Sequence, residues 1–216
     1  MTEAILFDWD GTLVDSLSSL YRANAVVMQG LGLPFDELLY RQHFASDWRV
    51  MYRRLGVPEE RLLEADATWA AAFDRGRGAT LFPGVQGALA GLASAGYRLG
   101  LVTAGDRYVV EPQLEEHGVG EYLEVRVFGD DLTVHKPHPE PLRRALAALG
   151  FGDRPGQATY LGDVPDDMRM ARAVGTHGVG IASILGDPAE LIAAGAREVA
   201  TSVVTWSERL VGRLTG

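Results

Sequence analysis

The stretch Ala4-Ile5-Leu6-Phe7-Asp8-Trp9-Asp10-Gly11-Thr12-Leu13-Val14-Asp15-Ser16 carries an apolar run straight into two carboxylates two residues apart. Ile5, Leu6 and Phe7 predict a short buried strand, Gly11 permits a sharp turn, and Asp15-Ser16 is a suitable cap for a following helix. Asp8 and Asp10 then leave the C-terminal end of a strand. Open α/β sheets bind their ligands there, because the loops leaving the strands line a crevice.

Beyond residue 82 the chain alternates. Patterning predicts helices over 84–96, 107–117, 139–149 and 166–174, and strands over 98–103, 124–128, 158–162 and 178–182. Pro83-Gly84 precedes the first of these helices, and Gly96, Gly118, Gly150 and Gly175 close the four. Such alternation predicts an α/β fold, a Rossmann-like parallel sheet with helices on both faces. Residues 16–82 break the rhythm: they hold no convincing strand, and Leu17, Leu20, Tyr21, Ala25, Val26 and Met28 recur at helical spacing. The expectation is a catalytic core of residues 1–15 and 83–216, with an all-helical domain of residues 16–82 inserted after the first strand as a potential lid.

Composition bounds the function. The 216 residues, 47% of them hydrophobic, suffice for a globular core. A formal charge of −9 without a local basic cluster disfavours nucleic acid and anionic membrane surfaces as partners. The absence of cysteine excludes disulfides, thiolate metal sites and cysteine nucleophiles. With a core strand from residue 4, no signal peptide is expected, and the apolar stretch 84–102 is interrupted by Gln86, Ser94 and Arg98, unlike a membrane span. The expected location is cytoplasmic, as a monomer or homodimer.

Four loops carry candidate chemistry: Asp8 to Asp10; Thr103-Ala104-Gly105-Asp106, whose small residues leave backbone N–H groups open to a tetrahedral anion; Val134 to Glu140, with Lys136-Pro137; and Gly162-Asp163-Val164-Pro165-Asp166-Asp167. Of 20 Lys and Arg residues, Lys136 is the only lysine. Composition alone can leave one lysine by accident, but a compact ammonium also reaches between carboxylates and a phosphate where a guanidinium fork fits poorly. His135 and His138 flank it and read more readily as solvated loop histidines than as a metal pair. Asp106 reads as a helix cap and Asp166 as a solvated neighbour. Trp48, Arg49, Tyr52 and Arg53 lie on a predicted helix of the insert; Trp48 and Arg49 are candidate leaving-group contacts, although an amphipathic helix accounts for them as well.

Taken in order, Asp8-Trp9-Asp10-Gly11-Thr12, Thr103, Lys136-Pro137 and Gly162-Asp163 through Asp167 resemble the motifs of the haloacid dehalogenase superfamily of hydrolases, with the insert where that family's first type of α-helical cap belongs. The opening is similar to that of the phosphoglycolate phosphatase-like members. The resemblance implies a Mg²⁺-dependent phosphatase of small phosphorylated metabolites, phosphoglycolate first among them. It implies Asp8 as the nucleophile that forms an aspartyl phosphate, and Asp10 as general acid and base. Thr103, Ala104 and Lys136 would hold the phosphoryl group, and the metal would take an Asp8 oxygen, the Asp10 carbonyl and Asp163. Asp167 would orient metal-bound water or Lys136. Ala104 and Val164 depart from the residues usual at their positions, and Trp9 is bulkier than the common Leu; none of the three removes a catalytic group. A sugar phosphomutase of the β-phosphoglucomutase type is the weaker alternative, since its hinge Thr and His fall on Ser16 and Leu20. A catalytically silent binding module would have lost Asp8, Lys136 or Asp163, and all three are present.

Overall fold

The computed structural model describes residues 3–73 and 79–212. Residues 74–78, which belong to the expected insert, and 1–2 and 213–216, which belong to the expected core, lie outside the described residues. Its centre is a six-stranded sheet built from β1 (Ala4–Phe7), β4 (Arg98–Val102), β5 (Val125–Val127), β6 (Ala158–Gly162), β7 (His177–Ile181) and β8 (Glu198–Ala200). The order is β5-β4-β1-β6-β7-β8 and every pairing is parallel. β1 is therefore central, and the chain leaves it first to one side and then to the other. The crevice of such a sheet opens where the order reverses, at the C-terminal ends of β4, β1 and β6.

Strand alternation divides the core into two layers. Ile5 and Phe7, with Leu99, Leu101, Leu161 and Val179, face the side of α5 (Val85–Ser94), α6 (Arg107–Glu116) and α10 (Val203–Gly212). Ala4 and Leu6, with Val102 and Tyr160, face the side of α7 (Glu140–Ala148), α8 (Pro165–Val174) and α9 (Pro188–Ala194). Fully burying a side chain such as Leu6 or Phe7 is worth about 1.5–3 kcal/mol, so the continuous apolar run before Asp8 anchors the loop that follows it. The alternation expected after residue 82 is present. Beyond residue 182, where patterning predicts no further element, α9, β8 and α10 complete the second half of the sheet.

Between β1 and α5 stand α1 (Leu17–Leu31), α2 (Glu37–His43), α3 (Trp48–Arg54) and α4 (Leu62–Ala72). Asp36 and Asp47 cap α2 and α3, accepting from Leu39 N at 2.7 Å and Arg49 N at 2.9 Å. Their buried residues form a third cluster, including Met28, Tyr40, Met51, Tyr52 and Ala65, which closes over Val164 and Leu185 from the loops of the sheet. One expectation needs correction. The segment entering and leaving these helices is not free of strand: β2 (Val14–Asp15) pairs antiparallel with β3 (Thr80–Leu81), so both crossings run through one two-stranded ribbon. Two-residue strands are too short for periodicity to reveal.

Candidate active site

The two carboxylates of the first loop meet different partners. Lys136 Nζ donates to Asp8 Oδ1 at 2.6 Å and lies 2.8 Å from Asp167 Oδ1, with the lysine only 4% exposed. Asp10 instead accepts from the Ser16 hydroxyl, and its Oδ2 lies 3.6 Å from where a Cβ on Gly105 would be. Ser16 occupies the N-cap position of α1 but spends no side-chain bond on the helix. Gly11, at φ +74°, makes the turn between these side chains, and a Cβ there would lie 2.3 Å from Asp163 Oδ2. A glycine is thus required for both the backbone angle and the approach of Asp163 to the first loop.

Asp163 and Asp167 leave β6 beside β1. Ser183, just past β7, donates to Asp163 Oδ2 at 2.8 Å while its oxygen accepts from Leu185 N and Gly186 N. Asp167 Oδ2 accepts from Val164 N at 3.2 Å, and the Tyr160 hydroxyl lies 3.1 Å from Asp167 Oδ1 and 2.9 Å from Val102 O. Asp167 therefore caps α8 and pairs with Lys136 at once. Thr103 Oγ1 accepts from Gly105 N at 3.0 Å, which leaves its own O–H to donate into the crevice. Ala104 and Gly105 line the same space.

Charge in this crevice is unbalanced. Burial pushes the Asp8 carboxyl up to about 7, against the pull of Lys136 and with a further push from Asp167. Burial also raises Asp10, against Ser16 and Lys136, and raises Asp163 well above the carboxylate range with help from Asp8 and Asp167. Burial works to lower Lys136, but Asp167 and Asp8 outweigh it and hold the ammonium charged. Asp8, Asp163 and Asp167 each offer an oxygen within 4.8 Å of the others, the one such group of potential ligands among the described residues. When all three are ionised, these carboxylates against one ammonium leave two negative charges, and the donors are all hard oxygen; a small divalent cation fits that set.

The remaining expected residues divide. Trp48 lines the cavity between the helices and the crevice, whereas Arg49 is exposed, 4.3 Å from the Trp48 ring centroid, and outside the lining. Tyr52 lines the cavity, while Arg53 pairs with Glu59 on the surface. Asp106 sits at the N-cap of α6 without a side-chain cap bond; Asp130 supplies that bond, accepting from Arg107 N at 2.8 Å, and Asp106 lines the cavity instead. Asp166 pairs with Arg169 and also accepts from Ser46 N, so it touches the helical segment. His138 Nδ1 accepts from Glu140 N, and His135 is half-buried; neither joins the carboxylate group. Trp9 is fully buried, its Nε1 donating to Gln113 Oε1 at 2.7 Å. Ser183, Tyr160 and Tyr40 also belong to the site, though no local motif marks them. Tyr40 is buried on α2 and lines the cavity; burial, with Asp10 and Asp163 nearby, keeps its phenol protonated.

The family model for haloacid dehalogenase-like hydrolases matches residues 5–181. The chain belongs to this family. It is 38% identical over 181 residues to a phosphoglycolate phosphatase of Nitrosococcus oceani, covering 79% of the chain and 80% of that protein. A plasmid-borne phosphoglycolate phosphatase of Cupriavidus necator is 37% identical over 182 residues, covering 80% and 77%. Among solved structures, CbbY from Rhodobacter sphaeroides in complex with phosphate superposes with a TM-score of 0.79 at 26% identity, covering 94% of this chain and 96% of that one. A haloacid dehalogenase-like hydrolase from Streptococcus pneumoniae shares the fold, with a TM-score of 0.81 at 23% identity over 97% and 98%. Among the described residues no helix is long and apolar enough to cross a membrane.

Proposed function

We propose that this hydrolase of the haloacid dehalogenase-like family cleaves small phosphomonoesters with Mg²⁺ through an aspartyl phosphate on Asp8. The observation that carries this reading is the unequal pairing of two carboxyls two residues apart: Asp8 meets a buried ammonium, Asp10 a neutral hydroxyl. Environments that separate two carboxyls in this way divide the roles of nucleophile and acid. Mg²⁺, held by Asp8, the Asp10 carbonyl and Asp163, would neutralise the dianionic ester and the ionised nucleophile.

The rest of the chemistry lies with the chain. An Asp8 carboxylate oxygen attacks phosphorus; the new bond forms as the bond to the leaving oxygen breaks, and Asp10 gives that oxygen its proton. Asp10, now ionised, takes a proton from the water that attacks the aspartyl phosphate, which releases phosphate and restores Asp8. The Thr103 hydroxyl and the N–H groups of its loop, Ala104 included, hold phosphoryl oxygens, and Lys136 offsets charge on Asp8 and on phosphate. Asp167 keeps Lys136 between the two carboxylates. Residues 16–82 act as a cap whose hinge is the β2–β3 ribbon, and closure over the crevice excludes water from the reacting centre. Likeness to the phosphoglycolate phosphatases makes phosphoglycolate the first ester to assay. A mutase would need acid–base groups at Ser16 and Leu20; Ser16 is committed to Asp10, and Leu20 is part of the apolar cavity wall.

The test is phosphate release from a panel of phosphomonoesters with Mg²⁺ and with chelator, beside Asp8→Asn. Release that needs Mg²⁺ and disappears in the variant is the expected result; release that survives Asp8→Asn overturns the nucleophile. Asp10→Asn is expected to slow both half-reactions with the fold intact, and near-normal turnover of an ester with a poor leaving group would refute the acid–base role.

A further inference from the structure

The phosphoryl crevice is one end of a cavity of about 160 Å³ whose far wall comes from the helical segment. That wall is mainly aromatic and aliphatic, with Leu20, Trp48, Met51, Tyr52, Trp69 and Phe73; Asn24 and Ser46 are neutral polar members of it. Its charged members among the described residues, away from the crevice, are two half-exposed carboxylates, Asp66 on α4 and Asp106 at the start of α6. Lys136, the cation of the lining, is committed to Asp8 and Asp167. Arg49 is exposed beside Trp48, outside the lining. Burial raises the Asp106 carboxyl, with Asp130 and Asp66 adding to the shift and Arg49 and His135 opposing it.

Consider an ester whose leaving group carries its own carboxylate. On binding, that carboxylate would exchange water for aromatic carbon and two like charges, with no free cation among the described lining residues to receive it. An aromatic leaving group meets the opposite conditions: the rings of Trp48, Trp69 and Tyr52 line the cavity beyond the crevice and offer offset or edge contacts. The geometry points to a substrate class: phosphomonoesters of uncharged aromatic or apolar alcohols, with anionic leaving groups such as that of phosphoglycolate disfavoured by the wall. This inference rests on the phosphatase reading above and narrows it.

The experiment compares kcat/KM for benzyl phosphate and phosphoglycolate with the full chain and Mg²⁺, with an aryl phosphate as a control for phosphatase activity. Benzyl alcohol and glycolate leave as alkoxides of similar basicity, so the ratio reads the cavity rather than intrinsic reactivity. The expected result is a preference for benzyl phosphate of at least ~10-fold, the worth of a modest apolar contact in a pocket. Asp66→Asn should lower that ratio several-fold by admitting the carboxylate, and Trp69→Leu should lower it by weakening the ring contact. Parity, or a preference for phosphoglycolate, overturns the inference while the phosphatase reading stands. A ratio unmoved by both variants overturns the role of the wall. No release from any of the three esters overturns the phosphatase reading and this inference together.

Discussion

Ser183 illustrates how a side chain remote in sequence governs the chemistry of another. Its hydroxyl has one proton, given to Asp163, while two backbone N–H groups fix its oxygen from the other side. A Cβ on Gly186 would lie 1.9 Å from the Asp163 carbonyl oxygen, so the loop after β7 packs directly on the β6 loop. Ser183→Ala is therefore expected to weaken Mg²⁺ binding roughly 10–100-fold, the usual cost of losing an orienting partner of a metal ligand, with an unchanged circular dichroism spectrum; calorimetric titration with Mg²⁺ measures it, and an unaltered Kd would deny Ser183 that role. Lys136 poses a different question. A guanidinium has the charge but not the shape to sit between Asp8 and Asp167 under the Tyr160 ring, whose centroid is 5.5 Å from Nζ. Lys136→Arg should lower kcat by roughly 100-fold or more, as removal of one preorganised electrostatic contact does; full activity would make the lone lysine an accident of composition.

The loops hold position because the elements beneath them are capped and paired. The N-terminus of α6, which carries the Thr103 loop, is capped by Asp130 from the turn after β5 rather than by its own Asp106. Arg107 strengthens the same junction by pairing with Asp131 at 2.8 Å. Asp130→Ala should cost about 1 kcal/mol, a fall in Tm of about 2–4 °C for a chain of this size, while Asp106→Ala should leave Tm nearly unchanged. A thermal melt of the two variants side by side distinguishes them, and a larger loss for Asp106 would return the cap to its own helix.

Stability of the whole fold is tied to the charge buried in the crevice. Asp8 has a folded-state pKa of about 7 against an ordinary value of 3.8. Between those values the folded protein keeps a proton that the unfolded chain releases, so the stability contributed by this group is full below 3.8 and is lost as pH rises through 7. Asp163 shifts in the same direction. Metal-free protein should accordingly lose Tm on going from pH 5 to pH 8 through these groups, and Mg²⁺ should restore it. Saturation at about a hundred times Kd is worth roughly 2.7 kcal/mol, or about 5–10 °C here, at pH 8, and markedly less at pH 5, where protons compete for the same oxygens. Melts at both pH values with and without Mg²⁺ decide this, and an equal gain at both would refute the linkage.

Local patterning was sufficient for β1, β4, β5, β6 and β7 of the sheet but not for its edge strand β8. β6 spans Ala158–Gly162 as the apolar run and its flanking turns require, and the run Ile5-Leu6-Phe7 becomes the central strand. Asp8, Asp10, Thr103, Asp163 and Asp167 were legible because each stands at or near the end of an apolar strand in a loop of small or acidic residues, a local arrangement that one stretch of chain contains, and Lys136 was legible as the only lysine of the sequence. What sequence alone could not supply were relations between distant stretches. Ser183 is 20 residues from Asp163, and Asp130 caps a helix that starts 23 residues before it. Trp48 and Arg49 are neighbours in sequence, yet one lines the cavity and the other faces solvent, because the rotation of α3 against the sheet is settled by packing of Met51 and Tyr52 in the cluster over Val164 and Leu185. Short-range periodicity determines which residues are strand, helix and loop; tertiary burial alone decides which charges lose water together, and the chemistry of this crevice is a consequence of that shared desolvation.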